Sequence, residues 1–292
     1  MSGELALDVA GIGIALSSDD ADLPIAAEGA VRKFVGDGAP VEVRVRAAWG
    51  EPVEPPSEDL LFDSGKGLWR LYREGRRRRF VFTSPPFGAH PYQAARFNDD
   101  FTEGEVMVRR EVFATRLPLY PLHYPLDELL MVHLLARGRG VEIHGSGMVG
   151  PDGLGTLFAG QSGAGKTTMA RLWERDPDVK ILSDERIILR QDGDDIWMYG
   201  TPWHGDGHIA NPGRTRLARL FFLRQATENA VRAVSATDAT ARLFSCSFTP
   251  FHDSAGLDFS LRFMETIARR ARCAELGFVP DRSAVDFVRG LG

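Results

Sequence analysis

Cysteine is scarce in this chain: Cys246 and Cys273 are the only two in 292 residues. Two thiols do not make a disulfide framework, and their spacing is no metal signature. A stapled extracellular domain and a zinc module are therefore excluded, and reduced thiols in a cytoplasmic protein are expected. Long apolar runs are also missing. No stretch approaches the roughly 18 residues that would span a bilayer. Leu5–Leu16 is apolar only in part, Asp8 interrupts it and no basic run precedes it, so no secretory leader is expected. Excess positive charge is absent too. Lys and Arg number 35 against 40 Asp and Glu, for a net charge of -5. Neither nucleic acid nor an anionic membrane is an expected partner for such a chain. No internal repeat is present.

What remains is ordinary globular material, 43% hydrophobic and 26% charged, long enough for one large domain or two modest ones. Residues 1–116 are rich in Pro, Gly and alternating apolar–polar runs, which predict a β-rich region. Leu68–Tyr72 and Arg79–Thr83 read as strands joined through Glu74-Gly75. Glu105–Phe113 alternates as well, and Glu51–Asp59, with three prolines, reads as a loop. The basic run Arg76–Arg79 reads as a solvated hairpin end, because no aromatic-lined groove accompanies it. No chemistry is legible in this region.

Residues 117–292 differ. Pro125 precedes Leu126, Leu129, Leu130 and Leu134, an apolar face at helical spacing that Gly138 and Gly140 terminate. His133 falls on that face and reads as a core or rim histidine. Val141–His144 and Gly155–Ala159 read as strands around the turn Pro151-Asp152-Gly153, and strands joined so tightly pair antiparallel. Thr167–Glu174 follows as a helix. Lys180–Leu182, Arg186–Arg190, Ile196–Tyr199, Leu220–Leu223 and Glu275–Val279 read as strands. Ser235, Ser254 and Asp281 open helices toward Phe244, Arg270 and Arg289.

Gly160-Gln161-Ser162-Gly163-Ala164-Gly165-Lys166-Thr167 matches the phosphate-loop pattern G-x-x-x-x-G-K-[ST], and Thr168 extends it. Glycines let successive amides turn inward around an anion, and the following helix aims its positive end at the same place. Lys166 adds a full charge, and the Thr167 hydroxyl suits magnesium. ATP and Mg2+ are the expected cofactors. The preceding strand is one arm of a tight hairpin, which favours a mixed, partly antiparallel core over the doubly wound fold. A hairpin centred near Asp152 sets position 144 opposite about 160, so His144 should stand at the loop's mouth. Asp184 and Glu185 sit between two strands, where carboxylates suit metal ligation and proton abstraction. Neighbouring side chains on a strand point oppositely, so both can serve only if the chain kinks. His204-Gly205-Asp206-Gly207-His208 reads as a flexible loop over the site whose Asp206 or histidines contact substrate or magnesium. Convergence of all three side chains on zinc or iron is the lesser reading. Arg214 and Arg216, placed in the same loop region, are candidates for neutralising a transferring phosphoryl group.

The order His144-Gly145, hairpin, Gly160–Thr167, Asp184-Glu185-Arg186 resembles the catalytic domain of HPr kinase/phosphorylase, which is similar in core to phosphoenolpyruvate carboxykinase. Tyr124–Leu130, Tyr199–Gly205 and Glu275–Pro280 resemble more closely the HPr kinase-related proteins found near peptide-modification genes. The resemblance covers roughly residues 117–292. It implies a mixed α/β (α+β) fold with a carboxykinase-like phosphate-loop core. It also implies an ATP-dependent kinase acting on a hydroxyl, most often a serine of a peptide or protein, and a homo-oligomer, since the related kinases are oligomeric. Lys166 and Thr167 would hold phosphate and magnesium, and His144 would assist the acidic pair. The family has two aspartates where this chain has Asp184 and Glu185, so the resemblance does not decide which is base and which holds metal. A glycine-rich signature tied to the phosphorylase reaction is replaced by Trp203–Asn211, so neither HPr nor phosphorolysis is expected. A small-molecule kinase, a carboxykinase-like or hydrolytic enzyme, and an ATP-switched peptide-binding module are the alternatives.

Overall fold

The computed structural model describes residues 3–65 and 68–291. The chain divides into two compact units, Met1–Leu134 and Leu135–Gly292. Both are built on large mixed sheets with few helices, which is a mixed α+β architecture.

The first unit contributes β1 (Glu4–Val9), β2 (Ile12–Ser18), β3 (Val41–Trp49), β4 (Leu60–Asp63), β5 (Trp69–Glu74), β6 (Arg77–Phe82), β7 (Gln93–Asn98) and β8 (Glu103–Val108). They lie in the order β1-β2-β3-β8-β7-β6-β5-β4. The alternating stretch expected to run to Phe113 breaks at Val108, and Arg110–Phe113 forms the short helix α1. The basic run sits in the β5–β6 hairpin, where Arg79 pairs with Glu74 and Arg78 with Asp99. The helix predicted after Pro125 is α2, Leu126–Leu135. His133 on α2 is a core residue, stacked on Phe101 with ring centroids 4.6 Å apart.

The second unit contains β9 (Val141–Val149), β10 (Gly155–Ala159), α3 (Lys166–Glu174), β11 (Lys180–Ser183), β12 (Arg186–Asp192), β13 (Asp195–Gly200), β14 (Arg214–Gln225), β15 (Ala230–Ala233), α4 (Ala236–Ser245), β16 (Ser247–Phe248), α5 (Ser254–Arg270), β17 (Arg272–Phe278) and α6 (Arg282–Arg289). The β9–β10 hairpin is antiparallel, with Ala159 opposite Gly145, so the expected register holds. On its other side β10 runs parallel to β14, and β14 runs parallel to β17. Hydrogen-bonded neighbours β10, β9, β12, β13 and β14 close into a ring.

The apolar run at Leu220–Leu223 is only the end of a longer strand. Arg214 and Arg216, expected in a loop, open that strand instead. The strand hides from a period reading because it changes neighbours midway. Its start pairs with β13 and its end with β10 and β17. One core of this unit packs Ile143, Leu157, Ile187, Leu220, Leu243 and Met264 together. The other packs Phe158, Met169, Phe221, Leu276, Phe278 and Val285 between the sheet and the α3 and α6 helices. Each such side chain contributes about 1.5–3 kcal/mol when fully buried. No described helix is long and apolar enough to cross a membrane.

Candidate active site

The loop after β10 is shaped by what its glycines leave out. Gly163 and Gly165 adopt φ of 82° and 103°, the left-handed region that side-chain-bearing residues avoid. A Cβ on Gly165 would lie 2.5 Å from the Phe278 ring, and one on Gly160 would lie 2.6 Å from the Ala164 Cβ. The backbone therefore turns tightly enough for α3 to start at Lys166. Gly165 precedes that helix and offers no side-chain cap. The first-turn amides are thus left to bind an anion, which the helix dipole favours. Lys166 is only 5% exposed. Its ammonium donates to the carbonyls of Gly160 and Gln161 at 3.0 and 3.1 Å. Burial lowers its pKa, against an opposing pull from Glu185. A buried cation poised on neutral carbonyls is ready to exchange them for phosphate oxygens. Gln225, at the end of β14, steadies the loop through a bond to Gly163 O.

The acidic pair occupies a break in one edge of β9. β11 pairs with the second half of β9 and β12 with its first half. Between them the Ser183 hydroxyl accepts the amides of Glu185 and Arg186 at 3.2 and 3.1 Å. This local turn supplies the kink that two neighbouring carboxylates need to reach one place. Asp184 is 0% exposed. Its two oxygens accept the amides of Gly205 and Gly207 at 3.1 and 2.8 Å. Gly207 also marks where the segments meet: a Cβ there would lie 2.4 Å from Asp184 Oδ2 and 3.2 Å from Thr167 Cγ2. A Cβ on Gly205 would lie 2.9 Å from Glu185 Oε2 and 3.2 Å from Asp184 Oδ2. Thr167, Asp184 and Glu185 thus border one small volume at the start of α3.

His144 completes the cluster. Its carbonyl accepts the Gly160 amide, and its Nε2 lies 2.9 Å from Glu185 Oε1. Glu185 is held down to about 2 by His144 first and Arg186 second, against the cost of burial. The sequence gives Arg186 no role of its own. It lies 2.7 Å from Glu185 and 3.5 Å from the buried Glu142, with its guanidinium 4.3 Å over the Phe248 ring. Position was the available signal, because Arg186 adjoins Glu185.

Two expectations need correction. The loop around His204–His208 does reach the site, but through the amides of Gly205 and Gly207. The rings of His204 and His208 stack edge-to-face, with centroids 4.8 Å apart. Asp206 is exposed, and its carbonyl accepts from Arg171. Among the described residues no hydrogen bond or ion pair joins the Asp206 side chain to Thr167 or Asp184, and no group of three His, Cys, Asp or Glu could hold a metal ion. Of the three residues expected at the metal, Thr167 and Asp184 both flank the Gly207 backbone. Arg214 lies elsewhere. It stacks 4.5 Å over Trp197 and donates to Tyr199 Oη. β14 runs parallel to β10, with Phe222 level with Ala159. Arg214 is eight residues back along that strand, opposite Tyr199 of β13, and among the described residues no hydrogen bond or ion pair joins its side chain to the phosphate loop or the acidic pair. Arg216 is at the same far end, beside Asp195.

No family model matches the chain, and no curated protein does. One solved structure, the HPr(Ser) kinase/phosphatase from Coxiella burnetii, is similar over 51% of this chain and 95% of its own, at 11% identity and a TM-score of 0.29. A likeness of that size carries no functional weight, so the reading rests on the residues themselves.

Proposed function

We propose that the unit Leu135–Gly292 is a magnesium- and ATP-dependent phosphotransferase that phosphorylates a hydroxyl. The motif resemblance turns the choice of acceptor toward a peptide or protein serine. One observation carries the reading. An anion nest with a buried lysine, a hydroxyl and an amide-held carboxylate converge with a second carboxylate that is hydrogen-bonded to a histidine.

In this reading the loop amides and Lys166 bind the β- and γ-phosphates. Thr167 and Asp184 would hold Mg2+, which supplies charge neutralisation on the phosphate oxygens. Asp184 fits that role because each of its oxygens spends one lone pair on an amide and keeps another. The acceptor oxygen attacks the γ-phosphorus, the bond to the bridging oxygen breaks, and that electron pair leaves with ADP. The acceptor proton passes to the Glu185–His144 pair. A carboxylate held near 2 is a weak base. A loose transition state asks little of it beyond orientation and late proton capture. Arg186 keeps Glu185 turned toward the cluster.

Incubation with γ-labelled ATP, Mg2+ and a panel of serine peptides and small alcohols tests the reading by mass spectrometry. Transfer to a hydroxyl is expected, and Lys166→Ala should abolish it with the fold intact. Label released only to water, or transfer that survives in Lys166→Ala, would overturn it. Tight ATP binding with no turnover would favour a switched binding module.

A further inference from the structure

The face of the second unit's sheet that packs against α3 and α6 changes character along its length. Near the phosphate loop it presents Phe158, Phe221 and Leu276, all buried. Toward the opposite ends of the same strands, alternation by two brings Thr156, Arg219 and Arg272 to that face. Thr156 lies beside Arg219 in the β10–β14 pairing, and Arg219 beside Arg272 in the β14–β17 pairing. Two like charges on directly neighbouring strands repel, so the arrangement is costly as it stands.

A cavity of ≈ 690 Å³ opens there, lined among others by Thr156, Trp173, Arg219, Arg270, Arg272 and Arg289. Several of its cations are balanced within the unit. Arg270 lies 3.5 Å from Asp194, Arg216 lies 3.6 Å from Asp195, and Arg289 pairs with Asp176. Arg219 has only neutral acceptors, Thr156 Oγ1 and Val288 O, each at 3.3 Å. Among the described residues the Arg272 guanidinium makes no hydrogen bond or ion pair. The Trp173 indole adds a second, independent sign. It is 3% exposed, and its Nε1–H is shielded from solvent without an acceptor. A buried donor with no partner carries its full desolvation cost, which an incoming oxygen would relieve.

We infer that this cavity is a second anion site, separate from the phosphate loop. It takes a small molecule with at least two acidic oxygens, phosphate or carboxylate, between Arg219 and Arg272, with Trp173 Nε1–H as a further donor. Guanidinium forks match both oxyanions, and the volume suits a metabolite-sized ligand. The inference does not depend on the proposed phosphotransfer.

Isothermal titration of the full chain with citrate and, separately, with pyrophosphate tests it. At least one probe binds, and that binding weakens about tenfold or more in Arg272→Ala. It weakens less in Arg272→Lys and persists in Lys166→Ala. The indole N–H resonance lost in Trp173→Phe identifies Trp173, and it shifts as the probe is added. Equal melting temperatures of wild type and Arg272→Ala without anion separate lost contact from lost fold. Should Arg272→Ala fail to fold, the Arg272→Lys titration and the indole shift carry the test. The site is rejected if neither probe binds, if all probe binding is lost in Lys166→Ala, or if the Trp173 signal stays still in Lys166→Ala while a probe binds. Response to pyrophosphate alone names the ligand class as phosphate, and to citrate alone as carboxylate.

Discussion

His133 in the first unit donates from Nδ1 to the carbonyl of Leu129, one turn back on its own helix, and packs between Phe80 and Phe101. His144 in the second unit faces Glu185, which a different strand delivers. The arginines divide in the same way. Arg79 meets Glu74 across its own hairpin, whereas Arg186 meets Glu185 at a kink braced by the Ser183 hydroxyl. Where a polar group is satisfied by its immediate neighbours in the chain, the arrangement serves the fold. Where separate segments deliver polar groups to one place, the fold has spent backbone irregularity to collect them, as active sites do.

The sharpest way to break this contrast is Asp184→Asn. The amide keeps one carbonyl oxygen for one glycine N–H and sets an NH2 group against the other. Stability should fall by about 1–3 kcal/mol. On the proposed mechanism phosphate transfer should fall far more, by about a thousandfold, because the charge that would hold the metal is gone. Chemical denaturation beside single-turnover kinetics measures the two losses. A variant that lost stability but kept transfer would make Asp184 a purely architectural residue, like His133.

Gly207→Ala probes the same point more gently. The added methyl would lie 2.4 Å from Asp184 Oδ2, so the carboxylate or the loop must move. Displacement of about 1 Å at a catalytic group costs about a hundredfold in rate. Steady-state kcat with an unchanged melting temperature would locate the damage in the site.

Much of this geometry was readable beforehand, and the reason is local. The hairpin register follows from one turn, and the phosphate loop from glycines whose φ values only that residue tolerates. The kink at Asp184 was legible as a requirement, since two adjacent acids on a straight strand face apart. What escaped was long-range. The place of Arg214 could not be read from the sequence, because it depends on β14 pairing antiparallel with β13 at its start and parallel with β10 further along. Asp206 drew notice through its type, while the neighbouring glycine amides do the contacting, and amides leave no mark in a sequence.

Glu185→Gln sharpens the contrast through pH. The folded protein holds Glu185 at about 2 against an ordinary 4.5, so its carboxylate stabilises the fold above about pH 4.5. That contribution fades as pH falls from 4.5 toward 2, because the unfolded chain takes up the proton first. The difference in melting temperature between wild type and Glu185→Gln should therefore be present at pH 7 and vanish near pH 2. At pH 7 the variant should transfer phosphate about ten- to a hundredfold more slowly, the usual scale for a positioned acid or base. Because the carboxyl stays ionised, no acid limb in the rate above pH 4.5 belongs to it.

Arg214→Ala should do least. Its guanidinium stacks on Trp197 and bonds Tyr199 Oη at the far end of β14, so the variant loses a cation–π contact of about 0.5–1 kcal/mol at an exposed position. Transfer should stay within about twofold of wild type, since among the described residues the Arg214 side chain makes no hydrogen bond or ion pair with the phosphate loop or the acidic pair, and an exposed charge without such contact is screened by salt. A large kinetic loss would return Arg214 to the candidates for charge neutralisation, and sedimentation of wild type beside Arg214→Ala would decide whether it acts within its own chain or from a second copy.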